Sequence, residues 1–226
     1  MPAALRLGST APNFQAETTH GAIDFHQWLG DSFGILFSHP DDFTPVCTTE
    51  LGEVAKQKAQ FDKRGVKVIG LSANSIDSHD RWIQDIKDVS SAEVQFPIIG
   101  DEKREIATLY DMLDSLDETN VDNKGLPLTV RSVFFINPAK KIVAMITYPA
   151  SVGRNFDEIL RVLDSLQLSA RLNGKITTPV NWQKGDRVII APPVKQEEAD
   201  KLFPQGYETA KPYLRFAQLS KEQEGN

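Results

Sequence analysis

A single cysteine, Cys47, stands in the polar run Ser38-His39-Pro40-Asp41-Asp42-Phe43-Thr44-Pro45-Val46-Cys47-Thr48-Thr49-Glu50. The run lies between an apolar, strand-like stretch (35–37) and a long amphipathic helix signal. Cys47 is therefore expected in or beside the first helical turn, where backbone N–H groups lack intrahelical partners and the macrodipole favours an anion. That setting favours the thiolate, the nucleophilic form of cysteine. With no second cysteine in the chain, no intramolecular disulfide can form, so the thiol must react with an outside partner. A lone cysteine is often only a small core hydrophobe. Here the neighbours are mostly polar, which argues for chemistry instead. Pro40 and Pro45 stiffen the approach to the helix, and Thr44 and Thr48 bring hydroxyls near the thiol in sequence. Glu50 suits the first helical turn and is placed to orient a cation.

The elements that must position this run can be read from periodicity. Strand-like runs rich in β-branched and aromatic residues cover 34–38, 66–72, 131–136 and 142–147. Leu51, Val54, Ala55, Lys58 and Phe61 follow one helix face that Gly65 closes. Further helices are expected over 78–89 and 104–113, and from Phe156 through Leu166 with Asp157 and Glu158 in the first turn. Strand, helix, strand implies a right-handed βαβ unit with a parallel pair. The short turn Asn137–Lys141 makes the last two strands an antiparallel hairpin. This order is an α/β, thioredoxin-like arrangement. After Leu168 the character changes to a proline-rich segment with a possible strand over 186–191 and a short helix over 197–203. Too small to bury much core alone, it should pack on the main domain or on a second subunit. The expected domains are therefore 5–168 and 169–226.

Pro40-x-x-x-Thr44-x-x-Cys47 resembles the peroxiredoxin active-site signature, and His39 with Val46-Cys47-Thr48-Thr49-Glu50 is similar to its 1-Cys version. The resemblance extends from Leu7–Phe14 through Phe96–Ile99, Tyr148–Ala150 and Gly153–Arg161 to Thr178–Trp182. It implies a thioredoxin-like fold with a small C-terminal extension that packs around a homodimer. It also implies a thiol-dependent peroxidase acting on hydrogen peroxide and on organic or lipid hydroperoxides. Cys47 would be oxidised to a sulfenic acid and reduced by an external thiol of the glutathione or thioredoxin type. By the same resemblance Arg131 holds the thiolate and peroxide, Arg154 and Glu50 orient Arg131, and Pro40 shields the site. Spacing alone brings neither arginine beside Cys47. His39 is left as either a hydrogen-bonding partner near the thiol or a structural histidine.

Other chemistries are weaker. Gly30-Asp31-Ser32-Phe33-Gly34 fits Gly-x-Ser-x-Gly, but Ser32 precedes a strand where a nucleophile elbow must follow one. Some relatives carry a phospholipase A2-like activity; His26 and Ser32 match its first two residues, while Ala139 replaces the acidic member and cannot stabilise an imidazolium. An oligomeric holdase or redox sensor is the non-enzymatic alternative. The four histidines (His20, His26, His39, His79) show no ligand spacing, so no metal is expected, and no phosphate loop implies a cofactor. The acidic stretch 114–122 reads as solvated surface. A net charge of −6 without a basic cluster argues against nucleic acid and anionic membranes as partners. There is no apolar run of about 18 residues and no secretory or Arg-rich leader. A lone thiol suits a reducing compartment, hence the cytoplasm, with a mitochondrial address if a presequence was removed.

Overall fold

The computed structural model describes residues 5–225. The chain divides into two compact units, Met1–Phe156 and Asp157–Asn226, each with a core of its own. The first runs β1 (Gln15–Thr18), β2 (Gly21–Asp24), α1 (Phe25–Leu29), β3 (Phe33–Ser38), α2 (Pro45–Lys56), α3 (Lys58–Lys63) and β4 (Val66–Ser72). It continues with α4 (Ile76–Ser90), β5 (Ile98–Gly100), α5 (Glu105–Leu109), β6 (Arg131–Ile136) and β7 (Ile142–Tyr148). The strands make one seven-stranded sheet of order β2-β1-β5-β4-β3-β6-β7. β3, β4 and β5 are parallel, whereas β6 runs antiparallel to both β3 and β7. Ile35, Leu36 and Phe37 of β3 are all buried, as a strand covered on both faces requires.

Two registers place the site. β3 pairs with β6 so that Phe37 lies opposite Val133, and Ser132 N donates to Ser38 Oγ at 3.1 Å. The start of β6, Arg131, is thereby brought to the carboxyl end of β3, where the Cys47 loop begins. β7 pairs Tyr148 with Arg131, so the segment after β7 reaches the same corner. α2 and α4 approach closely at Gly52, where a Cβ would lie 2.7 Å from Ser90 Cβ.

The second unit holds α6 (Phe156–Arg171) beyond its first residue, β8 (Ile176–Thr177), β9 (Val188–Ile190), α7 (Gln196–Leu202), β10 (Glu208–Lys211), β11 (Leu214–Ala217) and α8 (Lys221–Glu224). Its four-stranded sheet has the order β10-β11-β9-β8. Leu168, Ile176, Trp182, Val188 and Phe203 pack in its core. Compactness thus groups α6 with the C-terminal residues, earlier than the expected change at 168/169. Among the described residues no helix is long and apolar enough to cross a membrane.

The four long strands and the parallel pair stand where periodicity placed them. The departures have local causes. The helix expected through 51–61 is interrupted at Gln57 (φ −87°, ψ 7°), giving α2 and α3. The helix expected over 104–113 shrinks to α5. Arg104 takes a left-handed φ of 59° while its guanidinium bonds Pro127 O and Asp122, and Met112 O accepts from Val130 N instead of continuing the helix. Asp114 is buried, not solvated: its carboxylate accepts from the Leu116 and Asp117 amides and from Asn120, shaping the turn. β1 and β2 went unread because Gln15–Thr18 and Gly21–Asp24 lack a β-branched run.

Candidate active site

Helix α2 begins where Thr44 adopts an extended conformation (φ −111°, ψ 149°) and Pro45 takes the first helical position, where its missing N–H costs nothing. Thr44 does not cap the helix with its side chain; its Oγ1 donates to Asp41 O at 2.9 Å. Cys47, Glu50, Leu51, Val54 and Ala55 form the buried face of α2, at the spacing of a helix packed on a sheet. Cys47 and Glu50 thus share one face, a turn apart. Cys47 is 0% exposed.

Both predicted arginines arrive at this face. Arg131 Nη1 lies 3.3 Å from Cys47 Sγ and 2.7 Å from Glu50 Oε2. The other side of its guanidinium is fixed by Ala150 O, which accepts from Nε at 2.9 Å and Nη2 at 2.6 Å. Arg154 forks onto Glu50, with Nε 3.0 Å from Oε1 and Nη2 2.7 Å from Oε2, and its own backbone N donates to Oε1 at 2.7 Å. Its Nη1 donates to Ser38 O at 2.8 Å, and its guanidinium lies over the Phe37 ring at 5.0 Å. All four groups are buried. Burial works to raise the Glu50 carboxyl, but Arg154, helped by Arg131, outweighs it and holds that carboxyl below its ordinary range. Two guanidinium cations face one carboxylate, so the charge balances when Cys47 is a thiolate. Removing charges from water is costly unless they are paired in this way.

Pro40 is buried in the loop leading to α2. His39 is also buried, but its partner is Asp42: Nε2 lies 2.9 Å from Asp42 Oδ1. Its Nδ1 is buried and has no hydrogen-bond partner among the described residues. Burial, only partly offset by Asp42, pushes the His39 imidazole below its usual value. Asp42 in turn receives His79 Nδ1 at 2.8 Å and Ser78 Oγ at 2.7 Å on Oδ2. Burial would raise Asp42, yet the two histidines outweigh it and keep it ionised well below the carboxylate range. The histidines that looked unrelated in sequence thus meet around one carboxylate, because the β3 end and α4 converge there. Asp42 and His79 were missed; Asp42 sits three residues from His39, but nothing in the spacing reaches His79. The His26–Ser32 pairing is not formed: His26 Nε2 lies 2.8 Å from Ala11 O, and no hydrogen bond joins the two among the described residues.

A buried thiol facing a guanidinium at a helix start is built to attack an electrophile and to stabilise the anion that leaves. Residues 7–145 match the AhpC/TSA family, and residues 165–206 match the C-terminal domain of 1-Cys peroxiredoxin. The chain is 55% identical to "Peroxiredoxin PRX1, mitochondrial" of Saccharomyces cerevisiae over 94% of its length and 80% of the relative's. It is 52% identical to human Peroxiredoxin-6, covering 96% of this chain and 98% of that one. A cysteine-to-serine mutant of Peroxiredoxin 6 from Arenicola marina superposes with a TM-score of 0.89 at 48% identity, covering 96% of this chain and all (100%) of that one. A yeast mitochondrial 1-Cys peroxiredoxin, described through thiol resolution via glutathione/thioredoxin systems, gives 0.86 at 53% identity, covering 95% and 100%.

Proposed function

The chain belongs to the 1-Cys peroxiredoxins of the AhpC/TSA family, and on that premise we propose that Cys47 is its peroxidatic nucleophile, with Thr44, Arg131 and Pro40 forming the peroxide pocket and Glu50, Arg154 and His39 in support. The protein is a thiol-dependent peroxidase with one cysteine. The observation that carries the assignment is Arg131 Nη1 at 3.3 Å from Cys47 Sγ.

In the proposed step the Cys47 thiolate attacks one oxygen of a hydroperoxide. An S–O bond forms and the O–O bond breaks, sulfur is oxidised to a sulfenic acid, and the departing oxygen leaves as water or an alcohol after taking a proton. Arg131, held on two sides by Glu50 and Ala150 O, presents fixed positive charge where negative charge builds, which is where preorganised donors contribute most. Thr44 Oγ1 supplies a hydroxyl beside the helix start. Hydrogen peroxide and organic or lipid hydroperoxides are the proposed substrates. With no second cysteine in the chain, external thiols must return the sulfur to the thiol. One condenses with the sulfenic acid, releasing water and forming a mixed disulfide, and a second displaces the Cys47 thiol, so that the two external sulfurs leave as a disulfide. The yeast relative's description supports a glutathione or thioredoxin donor.

The same reading assigns 5–168 to the peroxidase domain and 169–226 to a dimer-associated extension, in a homodimer. A lone thiol favours the cytoplasm; the yeast relative's name makes the mitochondrion the competing address. The decisive experiment is single-turnover oxidation of the reduced protein by one equivalent of hydrogen peroxide, followed by tryptophan fluorescence and thiol titration. Rapid, stoichiometric loss of the Cys47 thiol, restored by an added thiol, is expected. Loss no faster than that of an unactivated cysteine overturns the proposal.

A further inference from the structure

Helix α4 grips the segment carrying Cys47 at two points, one on each side of the thiol. Downstream, Trp82 Nε1 donates to Thr48 Oγ1 at 3.1 Å, and that hydroxyl donates to Thr44 O at 2.8 Å. Upstream, Asp42 accepts from His79 Nδ1 and Ser78 Oγ on α4 and from His39 Nε2 at the end of β3. The residues before α4 add to this hold: Asn74 Oδ1 accepts from Asp42 N at 3.2 Å, and Asn74 Nδ2 donates to Asp41 Oδ1 at 2.6 Å.

The cluster is polar and buried, with Asp42 held ionised at its centre. His79 presents both ring nitrogens to acceptors, Asp42 Oδ2 at 2.8 Å and Ile99 O at 3.1 Å. Against its burial, the two histidines hold Asp42 well below the ordinary carboxylate range, while burial pushes His39 below its usual value and its Nδ1 has no hydrogen-bond partner among the described residues. Apolar side chains could hold a loop without burying charge. Hydrogen bonds to one carboxylate are directional, and three of them here fix its place relative to α4 and the end of β3.

That geometry is passed on to the reacting group. Phe43 holds a left-handed φ of 54°, unfavourable for a bulky L-residue, because Asp42 is anchored before it and Thr44 after it. Thr44 Oγ1 is aimed by its bond to Asp41 O, the carbonyl next to Asp42. We infer that Asp42 is a positioning residue for peroxide reduction: through His39, His79 and Ser78 it clamps the Thr44–Cys47 turn to α4 and so sets the line of attack on the O–O bond. This rests on Cys47 being the peroxidatic thiol.

The test compares two reactions of Cys47 in wild type and in Asp42→Asn, which keeps the side-chain shape and removes the charge. Stopped-flow oxidation by hydrogen peroxide reads the line-up of the O–O bond. Iodoacetamide alkylation across pH reads only the thiolate and its access. The expected result is an Asp42→Asn protein oxidised about tenfold more slowly or worse, with its alkylation profile unmoved, since misplacement that leaves Cys47 and Arg131 paired is costly only for the oriented reaction. Ser78→Ala, which removes one donor and keeps the helix, should show a smaller loss of the same kind. Should Asp42→Asn not fold, Ser78→Ala decides alone. Wild-type oxidation rates in the folded variants, or equal slowing of oxidation and alkylation, overturn the clamp. A wild type oxidised no faster than an unactivated cysteine instead overturns the peroxidase assignment.

Discussion

Arg131 meets Cys47 across 84 residues of sequence, with Nη1 3.3 Å from Sγ, and neither side chain is open to solvent. Removing that guanidinium should leave the thiol without its cation and the leaving oxygen without its donor. Arg131→Ala is expected to slow peroxide oxidation by about 10²–10³-fold, the scale of losing one preorganised donor. The alkylation profile of Cys47 should move to higher pH as well. An unmoved profile would show that another group activates the thiol.

Cys47→Ser should abolish peroxide consumption, because a serine hydroxyl is not ionised near neutral pH and cannot cycle through a sulfenic acid. Coupled turnover with an external thiol and hydrogen peroxide reads this directly. Residual turnover at the wild-type rate would remove Cys47 from the mechanism.

Glu50 lies between two buried guanidinium groups, its Oε2 2.7 Å from Nη1 of Arg131 and 2.7 Å from Nη2 of Arg154. Glu50→Gln leaves both cations buried with no anion between them. A loss of about 3–5 kcal/mol is expected, the scale for breaking a buried ion pair from one side. Urea unfolding of reduced protein measures it; a midpoint unchanged from wild type would show that the pair relaxes into water.

Acid should weaken the fold in stages. His39 is held below its ordinary value of 6.5 by burial, so on acidification the unfolded chain takes up a proton that the folded chain refuses. Stability therefore falls as pH drops through that value. Asp42 and Glu50 are held below their ordinary values of 3.8 and 4.5, so their contribution is present above those values and lost as pH falls further, through the folded ones. All three act in the same direction, with His39 first. Unfolding free energy should decline from about pH 7.5 to about pH 5.5, and His39→Asn, which does not titrate, should flatten that slope. An equal slope in the variant would assign the effect elsewhere.

Much of this could be read along the chain because it is local. The buried face of α2 is a period of 3.6 residues, which places Cys47 and Glu50 on one side of one helix before any tertiary contact forms. Pro45 at the first helical position and Thr44 before it mark where the helix starts. β3, β4, β6 and β7 announce themselves as apolar, β-branched runs, and the short Asn137–Lys141 turn dictates an antiparallel pair. Arg131 and Arg154 were legible only as members of a resembling pattern, since no local rule carries a residue 84 or 104 positions to its partner.

The sequence by itself pointed to Cys47, to the helix that carries it and to the parallel pair and hairpin beside it, because these depend on neighbours within a few residues. The tertiary structure alone decided what the buried polar groups do. It joined His39 to Asp42, brought His79 to the same carboxylate, and buried Asp114 in a turn where the sequence suggested open surface. The reason is physical. A polar group withdrawn from water must find a partner wherever the packed elements offer one, and that choice is made by the register of strands and the approach of helices, not by spacing along the chain.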